Sequence, residues 1–210
     1  MVQSLRAATR NVNLREAGQV YTEALSIQQT MGAKGSAATS TLGLAAVALE
    51  SNDPAQAETS ARAAIEVFHA EKDAVDEILA RLVLVRSLLA RNKLPDAQTE
   101  LTRAVALVTN ESPAGVRYSV SILSERLRAA DAKQYAPKAI TSLQKLAREA
   151  AKAAMPAFAL EARLAIGEIE FAEGRKAPAQ TELKLVVKEA QTRGFSLLAQ
   201  KATAQMNSSR

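Results

Sequence analysis

The densest group of side chains that could do chemistry lies in LEARLAIGEIEFAEG, which holds Glu161, Glu168, Glu170 and Glu173. Glu161 and Glu168 are two helical turns apart and share one face; Glu170 and Glu173 share another. Paired carboxylates suit general acid–base work, or a divalent cation if further oxygen ligands join them. No complementary group stands elsewhere in the chain to complete such a site. There is no Cys and a single His, His69 in EVFHAEKD. Thiol catalysis, disulfides and cysteine zinc sites are therefore excluded, and one imidazole alone builds neither a triad nor a zinc centre. His69 falls near a predicted helix C-terminus, where the helix dipole favours a cationic ring. MGAKGS (31–36) has two glycines and a lysine without the phosphate-loop spacing. The sequence thus assigns no catalytic, cofactor-binding or metal-ligating residue, and the carboxylates read as a solvated face of a non-enzyme.

The elements that would position any site are helices. Ala, Leu and Val carry a hydrophobic content of 48%, against 3% aromatics, and only 8 Gly and 6 Pro punctuate 210 residues. That balance favours helix over strand and short connections over long ones. Helices are predicted near 2–10, 14–31, 36–51, 54–71, 74–91, 94–109, 114–131, 135–153, 156–173, 177–193 and 195–206. The longest apolar run, ILARLVLVRSLLA (78–90), is interrupted by Arg81 and Arg86. It is shorter than the roughly 20 residues a bilayer needs, so it reads as a buried helix. MVQSLRAATRNVN at the start lacks the apolar segment of a signal peptide, and a cytoplasmic chain without membrane insertion is the expectation.

The chain repeats itself. AQTEL occurs at Ala97 and again at Ala179. Ala17, Ala57, Ala97, Ala139 and Ala179 mark five units at spacings of 40, 40, 42 and 40. Two turns further on, the same face carries Ala24, Ala64 and Ala104, then Leu146 and Val186. Pro54, Pro95, Pro137 and Pro178 keep this beat just ahead of each marker, while Pro113 and Pro156 open the alternate helices. Proline is tolerated in a first turn because amides there have no intrahelical acceptor, and Asp53 and Ser112 are suitable N-caps. Two helices per unit of about 40 residues is the mark of an α-solenoid, in which neighbouring pairs stack to bury faces that none could bury alone. The expected fold is an all-α solenoid of antiparallel helix pairs forming one domain over 1–210, with a capping helix near 195–206.

Small–x6–small on the second helix, after a leucine-bearing first helix and a turn, resembles the tetratricopeptide repeat. Gly167 falls where that motif has its close-packing glycine, Gly174 and Asn92 at its turn, and Leu84 at its leucine. The motif's large aromatic is absent, with Thr41, Arg81 and Arg163 in its place. The period exceeds the motif's own, as in the long repeats of bacterial signalling ATPase regulators and kinesin light chains, which this chain resembles. The C-terminal part, EARLAIGEIEFAEG followed by TELKLVVKEAQTRGFSLLAQKA, is similar to repeat arrays of acidobacterial-type signalling proteins. In those, the array is joined to a serine/threonine kinase or a winged-helix regulator. The resemblance implies a right-handed superhelix whose first helices line a concave groove. Leu42, Ala46, Leu49, Leu82, Arg86, Leu89, Glu161, Leu164, Glu168 and Phe171 would then face a partner. Leucines stand where chaperone-tail receptors of the family use a carboxylate clamp, so that activity is not implied. A mostly apolar groove suits an extended or helical peptide, or its leucines pack on one another.

Net charge is +5, and the excess gathers between Arg117 and Lys152. Arg117, Arg126, Arg128, Lys133, Lys138, Lys145, Arg148 and Lys152 face only Glu125, Asp131 and Glu149. Such a stretch is either a solvated face or a steering surface for an acidic protein. Nucleic acid is disfavoured, since only Tyr118 and Tyr135 are near for base stacking. The expected function is a non-catalytic protein–protein interaction scaffold, the repeat module of a larger bacterial signalling protein. The alternatives are a peptide or small-ligand sensor that binds in the groove and a nucleic-acid-binding helical array. The start in a partial unit points to a fragment of a larger protein, cytoplasmic or membrane-anchored.

Overall fold

The structure is a computed structural model that describes residues 14–207. Among the described residues it contains ten α-helices and no strand. They are α1 (Leu14–Thr30), α2 (Lys34–Glu50), α3 (Pro54–Glu71), α4 (Ala74–Ala90), α5 (Leu94–Ala106), α6 (Ala114–Asp131), α7 (Ala136–Lys152), α8 (Pro156–Ala172), α9 (Lys176–Thr192) and α10 (Ser196–Asn207), with a 3-10 turn at Lys133–Tyr135 before α7. The helix predicted near 2–10 lies outside the described residues. No described helix is long and apolar enough to cross a membrane.

The helices are cut to length by their turns. Gly32, Asn52, Lys72 and Asn92 all take positive φ, as do Ala154, Gly174 and Gly194. Both series are evenly spaced, each member one helix and its turn beyond the last. The next amide then bonds back five positions: Asp53 to Ala48 at 2.9 Å, Lys93 to Leu88 at 2.9 Å, Met155 to Ala150 at 2.8 Å, Arg175 to Glu170 at 2.9 Å. This left-handed closure satisfies carbonyls that the ending helix would leave without a donor. The following helix starts within two or three positions and so runs back beside the last. Asp53 caps α3 by accepting from the Gln56 amide at 3.0 Å, and Asp73 caps α4 from the Asp76 amide at 3.0 Å. Ser112 does not serve as the cap predicted: its hydroxyl accepts from the Thr109 amide and ties the loop before α6. All six prolines stand at the start of a helix or immediately before it.

The described residues group into two compact units, 14–120 and 121–207, with the division inside α6. In the first unit α1, α2, α3, α4 and α5 pack in series, and α2 also touches α4. In the second, α7, α8, α9 and α10 pack in series and α8 also touches α10.

The marker positions explain the packing. Ala57, Ala61, Ala64, Ala97 and Ala104 are fully buried. A methyl side chain there lets the helix axes approach closely. The same positions in the second unit take Ala139, Leu143, Ala179, Leu183 and Val186, all fully buried. Leu146 departs from this: it is half-buried, and the adjacent Ala147 takes the inward place. Ala17 and Ala24 of α1 are likewise only half-buried. The last core joins Leu160, Leu164, Leu183, Val186 and Ala190 to Phe195, Leu198, Ala199 and Ala202, so α10 covers the apolar flank of α8 and α9.

Candidate functional site

The candidate surface is the row of residues that the first helices α2, α4 and α8 leave partly open. Leu42, Leu82 and Leu164, expected in a groove, are 1%, 6% and 3% exposed. They are corrected to core residues. The physical cause is the stacking of α2 on α4 and of α8 on α10, which covers the flank these leucines occupy. Leu49, Arg86 and Leu89 in the first unit remain half-buried, as do Ala46, Glu161, Glu168 and Phe171. Phe171 lies against the edge of the last core.

Two of these positions are tied by ion pairs between first helices. In the first unit Arg86 Nη2 of α4 reaches Glu50 Oε1 of α2 at 2.6 Å. In the second, the Arg126 guanidinium of α6 pairs with the Glu168 carboxylate of α8. Arg126 belongs to the basic stretch and Glu168 to the expected groove, so the structure joins one candidate from each set. Arg86, Arg126 and Glu168 stand at spacings of 40 and 42 and therefore occupy one register position. That position bridges neighbouring helices in both units.

The remaining members of the basic stretch separate. Arg117 lies in the first unit and donates to the Asn110 carbonyl at 2.9 Å and the Ser112 carbonyl at 2.5 Å, which fastens the loop ahead of its own helix. Arg128 lies 3.4 Å from Glu125 and over the Tyr135 ring, 5.8 Å from its centroid. Burial raises the Glu125 carboxyl above its ordinary value, opposed by the Arg128 charge and the Tyr135 hydroxyl. Lys138, Lys145 and Arg148 project from the exposed face of α7.

Sequence reasoning missed the charged groups that bind second helices to first. Arg81 of α4 is 9% exposed and donates to Glu77 at 2.6 Å and to Glu100 of α5 at 2.5 Å. Arg103 also reaches Glu100, at 2.7 Å, and His69 Nδ1 lies 3.1 Å from Glu77. Glu58 of α3 gathers Arg62, Arg91 and Lys93 at 3.1, 2.5 and 3.2 Å. Burial pushes its carboxyl up, but those three cations outweigh burial and hold it below the usual glutamate value. Arg163 of α8 donates to Glu182 at 2.6 Å and Glu189 at 2.9 Å. The signal was available: Arg81 and Arg163 are separated by the same interval as the two AQTEL segments, whose glutamates are Glu100 and Glu182.

Two of the four carboxylates that opened the chemical reading are engaged in the same way. Glu168 pairs with Arg126, and Glu170, 8% exposed, pairs with Arg175 at 2.6 Å. Glu170 is thus a buried ion-pair partner and not part of a solvated face. Among the described residues no group of three or more His, Cys, Asp or Glu is placed to hold a metal ion.

No family model matches the chain, and no curated protein matches it. Among solved structures it is similar to the nearly identical TPR-like repeats of a Podosopora anserina chain described as a kinesin light chain, with a TM-score of 0.55 and 18% identity. The likeness covers 91% of this chain and 93% of that one. At that identity it speaks to fold: the chain is an all-α fold of tetratricopeptide-like repeats.

Proposed function

We propose that the chain is a non-catalytic scaffold that binds segments of other proteins along the open sides of its first helices. The observation that carries this reading is the repeated half-exposed row: Leu49, Arg86 and Leu89 in the first unit, Glu161, Glu168 and Phe171 in the second. Each row combines apolar contact area with an ion-paired side chain, Arg86 in the first and Glu168 in the second, as suits a helical or extended peptide. The buried charges of the chain hold helices together, a structural use of groups that could otherwise do chemistry. Similarity of fold to tetratricopeptide-like repeats supports an interaction module in general. The finer reading, a repeat module of a bacterial signalling protein, rests on the resemblance of EARLAIGEIEFAEG and the residues after it.

A photo-crosslinking side chain placed in turn at Leu89, Phe171 and, as an outward control, Thr102 tests the binding row. Crosslinks to one protein from Leu89 and Phe171, absent from Thr102, are expected. Crosslinks from Thr102 alone would remove the row from the interaction. A thermal shift with peptide or metabolite pools, without any crosslink, would replace the scaffold by a ligand sensor. For the signalling context, the reading frame upstream of the Met1 codon should run into a kinase or winged-helix domain; a stop codon there would end that finer reading.

A further inference from the structure

The helix α7 divides its two faces by chemistry more sharply than its neighbours do. Ala136, Ala139, Ile140, Leu143, Ala147 and Ala150 are buried. The opposite side carries Lys138, Lys145, Arg148 and Lys152, all exposed. Lys138, Lys145 and Lys152 recur at every seventh position, so they drift only slightly around the axis and form a straight file. At about 1.5 Å per residue the file is about 21 Å long with a charge roughly every 10.5 Å. One carboxylate accompanies it: Glu149 lies 3.8 Å from Lys145, which is 74% exposed. That carboxylate offsets one of the four positive charges on this side, Lys138, Lys145, Arg148 and Lys152, and the face keeps a net charge of +3. The engaged arginines of the basic stretch, Arg117, Arg126 and Arg128, are not part of it, and Lys152 is.

We propose that the file on α7 docks an acidic helix whose carboxylates recur at every seventh position, laid alongside α7. The spacing argues for this partner. A second helix running beside the first repeats its own side chains at the same pitch, so each lysine meets one carboxylate. Single-stranded nucleic acid fits less well, because no aromatic side chain stands on this face of α7 for bases to stack on. Lysines are flexible point charges that suit carboxylates at modest precision and set association rate as much as affinity. The inference extends the interaction-scaffold reading to a second surface and does not use the row on α2, α4 and α8.

The test uses the full chain and three labelled probes: an alanine-based helical peptide with Glu at every seventh position, a peptide of the same composition with its glutamates contiguous, and a 20-nucleotide DNA in single- and double-stranded form. Binding is read by fluorescence anisotropy at 50 and 300 mM salt. The seven-spaced peptide should bind tightest and weaken with salt, and Lys138→Glu with Lys145→Glu should weaken it about ten-fold. The charge-matched control Lys184→Glu with Lys188→Glu on α9 should change it far less. Circular dichroism verifies that both variants remain folded. Equal affinity for the two peptides, tighter binding of DNA, equal loss in the α9 control, or no binding at 50 mM salt would each overturn the proposal. Crosslinking from Leu89 and Phe171 should be unchanged in the α7 variant, so failure here is distinguishable from failure of the scaffold reading.

Discussion

Arg81 Nη1 lies 2.5 Å from Glu100 Oε2, and at the matching place in the second unit Arg163 Nε lies 2.6 Å from Glu182 Oε1. In both cases a first helix gives the guanidinium and the AQTEL segment of the next helix gives the carboxylate. Four of the five letters have a task in packing, and the glutamine is exposed in both copies. The alanine and leucine are buried, the threonine hydroxyl bonds to the carbonyl four positions back, and the glutamate latches the preceding helix. The other three units carry Val20, Ser60 and Ser142 where the latching glutamate stands, so the latch belongs to the third and fifth units.

Removing half of a buried pair leaves the other charge without its partner, whereas replacing both can be neutral. Glu100 is 5% exposed and its side chain serves Arg81 and Arg103. Glu100→Ala should therefore destabilise the chain by about 3 kcal/mol in urea unfolding. Glu182→Ala, at a latch whose partners are about a quarter exposed, should cost about 1 kcal/mol. Because Arg81 also holds buried Glu77, the triple change Arg81→Met with Glu77→Gln and Glu100→Leu should recover much of the loss. Equal losses at the two latches would show that burial does not set their strength.

Ala154 closes α7 with φ of 53°, in a position held by glycine at the two turns that follow. An L side chain there is strained by about 1 kcal/mol. Ala154→Gly should raise the melting temperature by about 1–2 °C, the relief of strain being partly offset by the larger entropy loss of glycine on folding. Gly174→Ala should lower it by a similar amount. A lowered melting point for Ala154→Gly would mean that unfolded-chain entropy outweighs the relief of strain.

The helical architecture was readable because its cause is local. Proline at helix starts, small residues two turns apart, and a turn residue at Asn92 and Gly174 each declare a unit from a few neighbouring positions. The finer beat, one helix and its turn, was obscured because Gly, Asn, Lys and Ala share the left-handed site, and only the first two advertise it. The surface was legible in part. Leu49, Leu89 and Phe171 follow from register alone, but Leu42, Leu82 and Leu164 are buried by the neighbouring first helix, which a single helix pattern does not contain. The pair of Arg126 and Glu168 illustrates the same limit: their charges stand a full repeat apart in the chain, and they meet only once α6 and α8 are set in register.

Gly167 tests how closely α8 and α9 are packed. A Cβ at that position would come within 2.5 Å of Leu183 Cδ2, and Leu183 is fully buried. Alanine is the better helix former by about 1 kcal/mol, which sets the two effects against each other. Overpacking of a closed core typically costs about 1–3 kcal/mol, so Gly167→Ala should be net destabilising by about 1 kcal/mol. Leu183→Val alone should also destabilise, through lost burial. In the double variant the two losses should be less than additive in a thermal-melt cycle. Strict additivity would place the clash elsewhere.

Glu58 and Glu125 should give the chain opposite pH responses. Burial raises the Glu58 carboxyl, but its three cations outweigh burial and hold it below the ordinary glutamate value. Its stabilising contribution is full above the unfolded value of about 4.3 and is lost as pH falls through the folded value. Glu58→Gln should therefore lower the melting temperature at pH 7 and match the parent chain under strongly acid conditions. Glu125 is raised by burial, against the opposing effects of Arg128 and Tyr135. Its favourable contribution is full below the unfolded value and is lost as pH rises through the folded one. Ionised Glu125 thus costs stability at pH 7, and Glu125→Gln should raise the melting temperature there while changing little at pH 3. Scanning calorimetry of both variants from pH 3 to pH 8 separates the two trends. Curves that run parallel to the parent at every pH would show that neither carboxyl titrates differently in the folded chain.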